Sequence, residues 1–373
     1  MKKIKLSKSC LNKSEILAVT KILKKEYLGM GEEVHKFEIE LEEIFGKKVV
    51  CVSSGTAALQ LAIQSLGFKK NDEILVQSLT YVSSFQAITA NGLKPISCDV
   101  DIQTGTLDLR SLKKKITAKT KAIMPVHYAG NVGALDEIYN IAKRYNLRVI
   151  EDAAHAFGTY YKGKLIGSRG DIVCFSFDGI KNITAGEGGC VISSDKNVIN
   201  KIKDYRLLGV KGDSNLRFKG LREWKPTVNE QGWRYHMSNV MAAIGRSQLS
   251  KLNNFRAKKT KLLKYYIDEI KKIPGVEPIF YDIENVLAHI FVIKISNYEI
   301  KDKLINFLNQ NGIETGIHYY PNHHLSYFSY NKYLKLNNTE TLYKQILTLP
   351  FHYDLNKKDI KFICQKINFF INK

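Results

Sequence analysis

The 373-residue chain has no run of 18 consecutive apolar residues, and no apolar segment follows its basic N-terminus (Lys3, Lys5, Lys8). A bilayer-spanning helix needs about 20 such residues, so neither membrane insertion nor export is expected. Cysteine is sparse: Cys10, Cys51, Cys98, Cys174, Cys190 and Cys364 lie far apart, with no Cys-x-x-Cys pair. That excludes a disulfide-stapled scaffold, and cysteines set in apolar runs read as small buried hydrophobes in a reducing compartment. A cytoplasmic protein is the expectation. With only 7 prolines, 25 glycines, no low-complexity segment and no internal repeat, disordered, collagen-like and solenoid classes drop out.

Acidic residues are outnumbered, 36 against 57 Lys and Arg, which gives a formal charge of +21. Such a field concentrates any polyanion without choosing among them. The lysines are scattered, with small clusters at Lys113–Lys115, Arg256–Lys261 and Lys357–Lys361. No RNA-binding signature, no zinc-finger spacing and no helix-turn-helix segment accompanies them, so no nucleic-acid partner is expected.

What is present is the composition of an enzyme: 44% hydrophobic and 10% aromatic residues, enough to bury a core in two or three domains. From about residue 48 to 195, short apolar runs alternate with helical periodicity. Strands are expected at Val49–Ser53, Ile74–Val76, Pro95–Cys98, Ala122–Val126, Leu147–Ile150, Ile172–Phe177 and Gly189–Ser193. Helices are expected at Thr56–Leu66, Ser83–Asn91 and Leu135–Tyr145. This pattern predicts a mostly parallel sheet covered by helices on both faces, with ligands at the carboxyl ends of its strands. Beyond it come a helix from Lys196, a long polar stretch over Gly209–Trp233, and helices from Ser238 and Phe255. Pro274-Gly275 marks a break; a smaller α/β unit with strands at Ala288–Ile295 and Ile313–Ile317 and a terminal helix near Ile360 follows.

Three strand ends carry residues with chemistry. Ser53-Ser54-Gly55-Thr56-Ala57 opens a helix, where free backbone N–H groups and the helix dipole suit a phosphate dianion. Glu151-Asp152 follows an apolar strand directly. Lys181 lies between two apolar strands, where desolvation makes an amine nucleophilic. A phosphate cradle, a strand-end carboxylate and a desolvated amine are together what pyridoxal phosphate requires.

The motifs Ser54–Leu59, Thr80–Ser83, Glu151–Gly158, Ser176–Gly189, Met237–Gly245 and Gly316–Pro321 resemble, in order and over nearly the whole chain, the sugar-nucleotide aminotransferases of the DegT/DnrJ/EryC1/StrS type. The resemblance implies the fold type I pyridoxal-phosphate architecture, similar to aspartate aminotransferase. It divides the chain into a large cofactor-binding domain, residues 1–250, and a small C-terminal domain, 251–373, with segment 1–30 packing on the small one. Lys181 looks like the lysine that carries the cofactor and shuttles protons. Asp152 looks like the partner of the pyridine nitrogen, Gly55, Thr56 and Ser176 like phosphate ligands, and Tyr81 like the aromatic stacked on the ring. His155 stands where many members carry Gln near the ring hydroxyl. A branch of the family with His in place of the lysine deoxygenates its substrate, so Lys181 points to transamination.

The family also implies a homodimer with shared active sites. Where members carry Gly-Tyr-Asn-Tyr-Arg, whose contact reaches the partner's cofactor phosphate, this chain reads Gly232-Trp233-Arg234-Tyr235-His236. Arg234 can still hold a phosphate, as a fork. His318, Tyr319 and Tyr320 lie in a motif near the sugar nucleotide. His323 and His324 have no acidic residue at ligand spacing, so no metal site is expected. The implied reaction moves an amino group from L-glutamate to a nucleotide-linked keto-sugar. The stretch Tyr235–Ser238 looks more like members that aminate C4.

Overall fold

In a computed structural model, residues 3–331 and 334–372 are described. Seven strands form one sheet: β1 (Lys48–Val52), β2 (Glu73–Gln77), β3 (Lys94–Cys98), β4 (Thr120–Met124), β5 (Arg148–Asp152), β8 (Ile172–Ser176) and β9 (Gly189–Ser193). A two-residue hairpin, β6 (Tyr160–Tyr161) with β7 (Lys164–Leu165), interrupts the series. Across the sheet the order is β1-β9-β8-β5-β4-β2-β3. Pairings from β3 through β8 are parallel, whereas β9 runs antiparallel to β8 and β1. The expected mostly parallel α/β sheet is therefore present, with strand ends displaced by one or two residues.

Side chains on a strand alternate between faces, and both faces here are covered. Val49 and Cys51 enter one apolar cluster with Phe37, Phe175 and Ile192, while Val50 and Val52 enter another with Leu61, Val191 and Ile202. This explains why the strands read as continuous apolar runs. Local signals set the crossovers: Ser54 caps the helix Gly55–Ser65 by accepting from the Ala57 N–H (3.1 Å), and Asn146, at φ +53°, closes the helix Leu135–Tyr145 in the left-handed region.

The C-terminal part holds β10 (Val276–Pro278), β11 (Phe291–Ile295) and β12 (Ile346–Leu349) in one antiparallel sheet, backed by the helices Leu252–Ile270 and Lys357–Ile371. The expected strand at Ile313–Ile317 is corrected: only isolated bridges form there, Ile313 with Ile4 and Gly316 with Thr348, and β12 takes the third place instead. Segment 1–30 divides. Ile4 and Leu6 bond to Gly312, Glu314 and Phe351, but the helix Lys13–Lys24 lies on the helix Asn239–Leu249, where Gln248 donates to Glu15 (2.9 Å).

Arg206 is the largest fully buried side chain. Its guanidinium donates to the Cys51 carbonyl (2.7 Å) and pairs with Glu38, which also accepts the Cys51 N–H (2.8 Å). Removing one partner strands the other charge without water. Glu38→Leu is expected to cost about 3–5 kcal/mol in urea unfolding, and the double change with Arg206→Met much less; a loss below about 1 kcal/mol for the single change would contradict this.

Candidate active site

A cavity of about 400 Å3 opens at the carboxyl edge of the sheet, between the strand ends and the C-terminal part. Three larger cavities among the described residues, of 690, 680 and 440 Å3, lie elsewhere; the lysines on the first two, Lys162 and Lys164, are solvent-exposed, and the third is lined by Gln365, Asn368, Phe369 and Asn372 at the end of the last helix. Gly55, Thr56, Tyr81, Asp152, His155, Ser176, Lys181, His318 and Tyr319 all line the smaller one, although they come from positions up to 264 residues apart.

At the helix start, Ser54 and its carbonyl occupy the Ala57 and Ala58 N–H groups. The N–H groups of Gly55 and Thr56 have no acceptor among the described residues, as the first turn of a helix leaves them. Only glycine fits at 55, because a Cβ there would stand 2.8 Å from the Ser176 Cβ. Ser176 Oγ accepts from the Asp178 N–H (3.3 Å), so its own proton is free for an anion. Two backbone donors and a hydroxyl thus converge where a phosphate dianion gains most from the helix dipole.

Strand alternation separates the acidic pair. Glu151 turns away from the cavity, receiving the Tyr139 hydroxyl (2.7 Å) and lying 2.8 Å from His127 Nε2. Asp152 faces in. It accepts from the Ser84 hydroxyl (2.7 Å) and the Ala154 N–H (3.2 Å), and burial raises its pKa despite these bonds. A buried carboxylate in that state favours a cationic partner, and a ring nitrogen that binds a proton is one.

Lys181 Nζ lies 3.3 Å from His289 Nε2. Desolvation lowers its pKa to about 8, against the opposing pull of Asp178 and Asp152. At pH 8 roughly half of such amines are neutral, against well under one in a hundred for an ordinary lysine. His155 accepts the Ala129 N–H at Nδ1 (3.3 Å) and is held neutral by burial, so Nε2 carries the proton toward the Tyr319 hydroxyl oxygen (2.9 Å). The rings of Tyr81 and Tyr319 lie 5.6 Å apart at the cavity mouth, and His318 Nδ1 meets the Thr348 hydroxyl (2.9 Å).

Two residues are not brought in. Tyr320 is 49% exposed and packs on His324 and Tyr343. Arg234 is exposed outside the cavity, bridged to Leu207. Three others were missed. His289 touches Lys181, Glu187 lines the cavity, and Lys259, buried behind Lys181, donates to Asn182 Oδ1 (3.0 Å) and the Ala288 carbonyl (2.8 Å) with its pKa lowered to about 7 by burial. A signal for Lys259 existed: it sits in the apolar stripe Phe255, Leu262, Leu263, Tyr266 of its helix, all buried. The expectation of no ligand set at His323 and His324 is also corrected, because the fold carries Glu340 to both.

Donors suited to a phosphate, a buried acid suited to a ring nitrogen and a desolvated amine are together what a fold type I pyridoxal-phosphate enzyme requires. The sequence profile of the DegT/DnrJ/EryC1/StrS aminotransferase family matches residues 9–368, and the chain belongs to that family. It is 34% identical over 360 residues to an uncharacterized protein of Methanocaldococcus jannaschii, covering 94% of this chain and 93% of that one. Its structure is similar to Helicobacter pylori PseC, an aminotransferase involved in the biosynthesis of pseudoaminic acid (TM-score 0.92, 25% identity, 100% of both chains). It is also similar to the PLP form of the sugar aminotransferase Spr1654 from Streptococcus pneumoniae (TM-score 0.90, 25% identity, 100% of this chain and 99% of that one). The chain is a pyridoxal-phosphate-dependent sugar aminotransferase.

The lowered pKa of Lys181 sets a pH dependence. Its neutral amine, the form able to attack an aldehyde, accumulates as pH rises through about 8. The rate of covalent loading of apoprotein with pyridoxal phosphate, followed by absorbance, is expected to rise with pH and level off just above 8; a rise continuing toward 10 would show an ordinary lysine.

Proposed function

We propose that this enzyme transfers the amino group of L-glutamate to C4 of dTDP-4-keto-6-deoxyglucose, giving dTDP-4-amino-4,6-dideoxyglucose for a surface polysaccharide. The observation that carries an amino transfer is Lys181, a partly buried amine of lowered pKa that shares one cavity with the Asp152 carboxylate and the Gly55 and Thr56 N–H groups. Gly55, Thr56 and Ser176 would hold the cofactor phosphate, Asp152 the ring nitrogen, and Tyr81 the ring face. When bound, pyridoxal phosphate supplies an electron sink that accepts an amine from one substrate and yields it to a ketone. Lys181 then works as general base and acid. A group titrating near neutral pH both takes up and releases a proton at useful rates. His155 and Tyr319 orient each other, leaving the phenolic proton directed at the cavity. His318 and Tyr319 are the sugar-side contacts in this reading.

The choice of C4 and of dTDP rests on the Tyr235-His236-Met237-Ser238 stretch, which looks like that of 4-aminating members. Amination at C3, or a UDP- or GDP-linked sugar, is the nearest alternative. Purified enzyme with L-glutamate should convert the dTDP keto-sugar to an amino sugar detected by mass, and Lys181→Ala should lower turnover by at least about 10^3-fold. Turnover of only a UDP or GDP analogue would reject the nucleotide; no amination of any keto-sugar would reject the reading.

The same reading includes a cytoplasmic homodimer, with residues 1–250 holding the cofactor and 251–373 forming the smaller domain. Its support is Arg234, exposed and outside its own cavity, in a segment that also exposes Leu221, Trp224 (83%) and Val228. A partner subunit would bury these side chains and receive Arg234 at its phosphate. Arg234→Ala is expected to weaken cofactor retention about tenfold or more. Co-expression with Lys181→Ala should restore one working site per heterodimer; no recovery would place Arg234 in its own subunit's chemistry or outside it.

A further inference from the structure

Behind Tyr320, away from the cofactor cavity, His323 Nε2 and His324 Nε2 both point at one oxygen of Glu340, at 2.8 and 2.7 Å. The three ligand atoms lie within 4.8 Å of one another. We propose that His323, His324 and Glu340 form a divalent-metal site of the zinc type, which staples the segment carrying His318 and Tyr319 to the helix Asn337–Gln345.

Two imidazoles and a carboxylate are the ligand set of many three-ligand zinc sites, whose fourth position is left to water. The burial of this set fits that arrangement, since the His323 side chain is fully buried while those of His324 and Glu340 remain 34% and 32% exposed. A second layer is in place. His323 Nδ1 lies 2.7 Å from the Ser78 hydroxyl, which also accepts the His323 N–H (3.1 Å), so the ring is oriented with Nε2 outward, as outer-layer partners of zinc ligands do. The Ser78 hydroxyl can accept from Nδ1–H as well as donate to a bare Nδ1, so with the ring proton on Nδ1 the Nε2 lone pair is available to a metal.

Both arms are pinned before any ion arrives. Asn322 donates to the carbonyls of Ser78 (3.1 Å) and Thr80 (2.7 Å), and the helix of Glu340 is tied to the end of β3, where the Thr339 N–H meets Asp99 (2.7 Å). Tetrahedral bonds of about 2.0–2.1 Å put ligand atoms about 3.3 Å apart, so the present hydrogen-bonded cluster must open by about half an ångström. The half-exposed side chains of His324 and Glu340 can take up that shift. The sequence hides this set, because Glu340 lies 16 residues beyond His324.

The test uses the tag-free full-length chain, stripped by chelator and dialysed against Zn2+, with Co2+ as the spectroscopic probe. One Zn2+ per chain and the intense visible bands of four-coordinate Co2+ are expected. Glu340→Gln and His324→Ala should each weaken binding at least tenfold while the absorbance of bound pyridoxal phosphate is kept. Metal also binds free pyridoxal phosphate, but these variants leave that route intact. Less than about a tenth of a Zn2+ per chain, or equal binding by wild type and both variants, would overturn the site.

Discussion

Desolvation at the carboxyl edge of the sheet is the constraint on which the chemistry depends. It pushes the groups around the cavity toward their neutral forms: Lys181 falls to about 8, His155 and His289 fall well below the usual histidine value, and Asp152 rises. A cavity in which amine, imidazoles and acid all resist charge can trade protons at little cost near neutral pH. It also gains most from a ligand that brings its own charges, an anionic arm toward the helix start at Gly55 and a protonated ring nitrogen toward Asp152.

The dryness is a product of the fold. Parallel strands covered on both faces leave only their ends for polar work, and β5 divides its last two residues between the two sides of the sheet. Glu151 is consumed by His127 and Tyr139, which fix the strand end from behind. Asp152 is left to the cavity, with Ser84 and Ala154 to hold its direction. From the C-terminal part, Tyr319 and His289 close the space, each bonded to a residue of the sheet side.

How much of this could be read from the sequence followed from how local each signal was. Strand runs, the Ser54 cap and the motifs around Asp152 and Lys181 depend on a few neighbouring residues, so sheet order aside, the fold class was legible, and the residues expected to hold the cofactor, Arg234 apart, line one cavity. His289 and Glu340 were not, because each acts across a distance set only by tertiary packing: 108 residues from Lys181 in one case, 17 from His323 in the other. The strand expected at Ile313–Ile317 failed for a related reason. An apolar run finds its place by which partner edge is free, and Ile346–Leu349 occupied the edge of β11. Tyr320 was placed by motif alone, and its ring turned to Tyr343 instead.

Lys259 shows how one buried charge disciplines another. Among the described residues its ammonium group has no acid beside it, only the side-chain oxygen of Asn182, the Ala288 and His289 carbonyls, and the faces of Phe351 and Tyr353. It lies close enough to Lys181 for that amine's charge to disfavour its own, an effect that adds to its desolvation. The sign for stability follows from the same shift. With a folded pKa of about 7 against 10.5 unfolded, Lys259 carries its full desolvation cost below pH 7, and that cost declines as pH rises from 7 toward 10.5. The bonds from Lys259 meanwhile fix the backbone at His289, whose ring touches the Lys181 amine. A lysine that never enters the cavity thereby helps hold the position of the one that does.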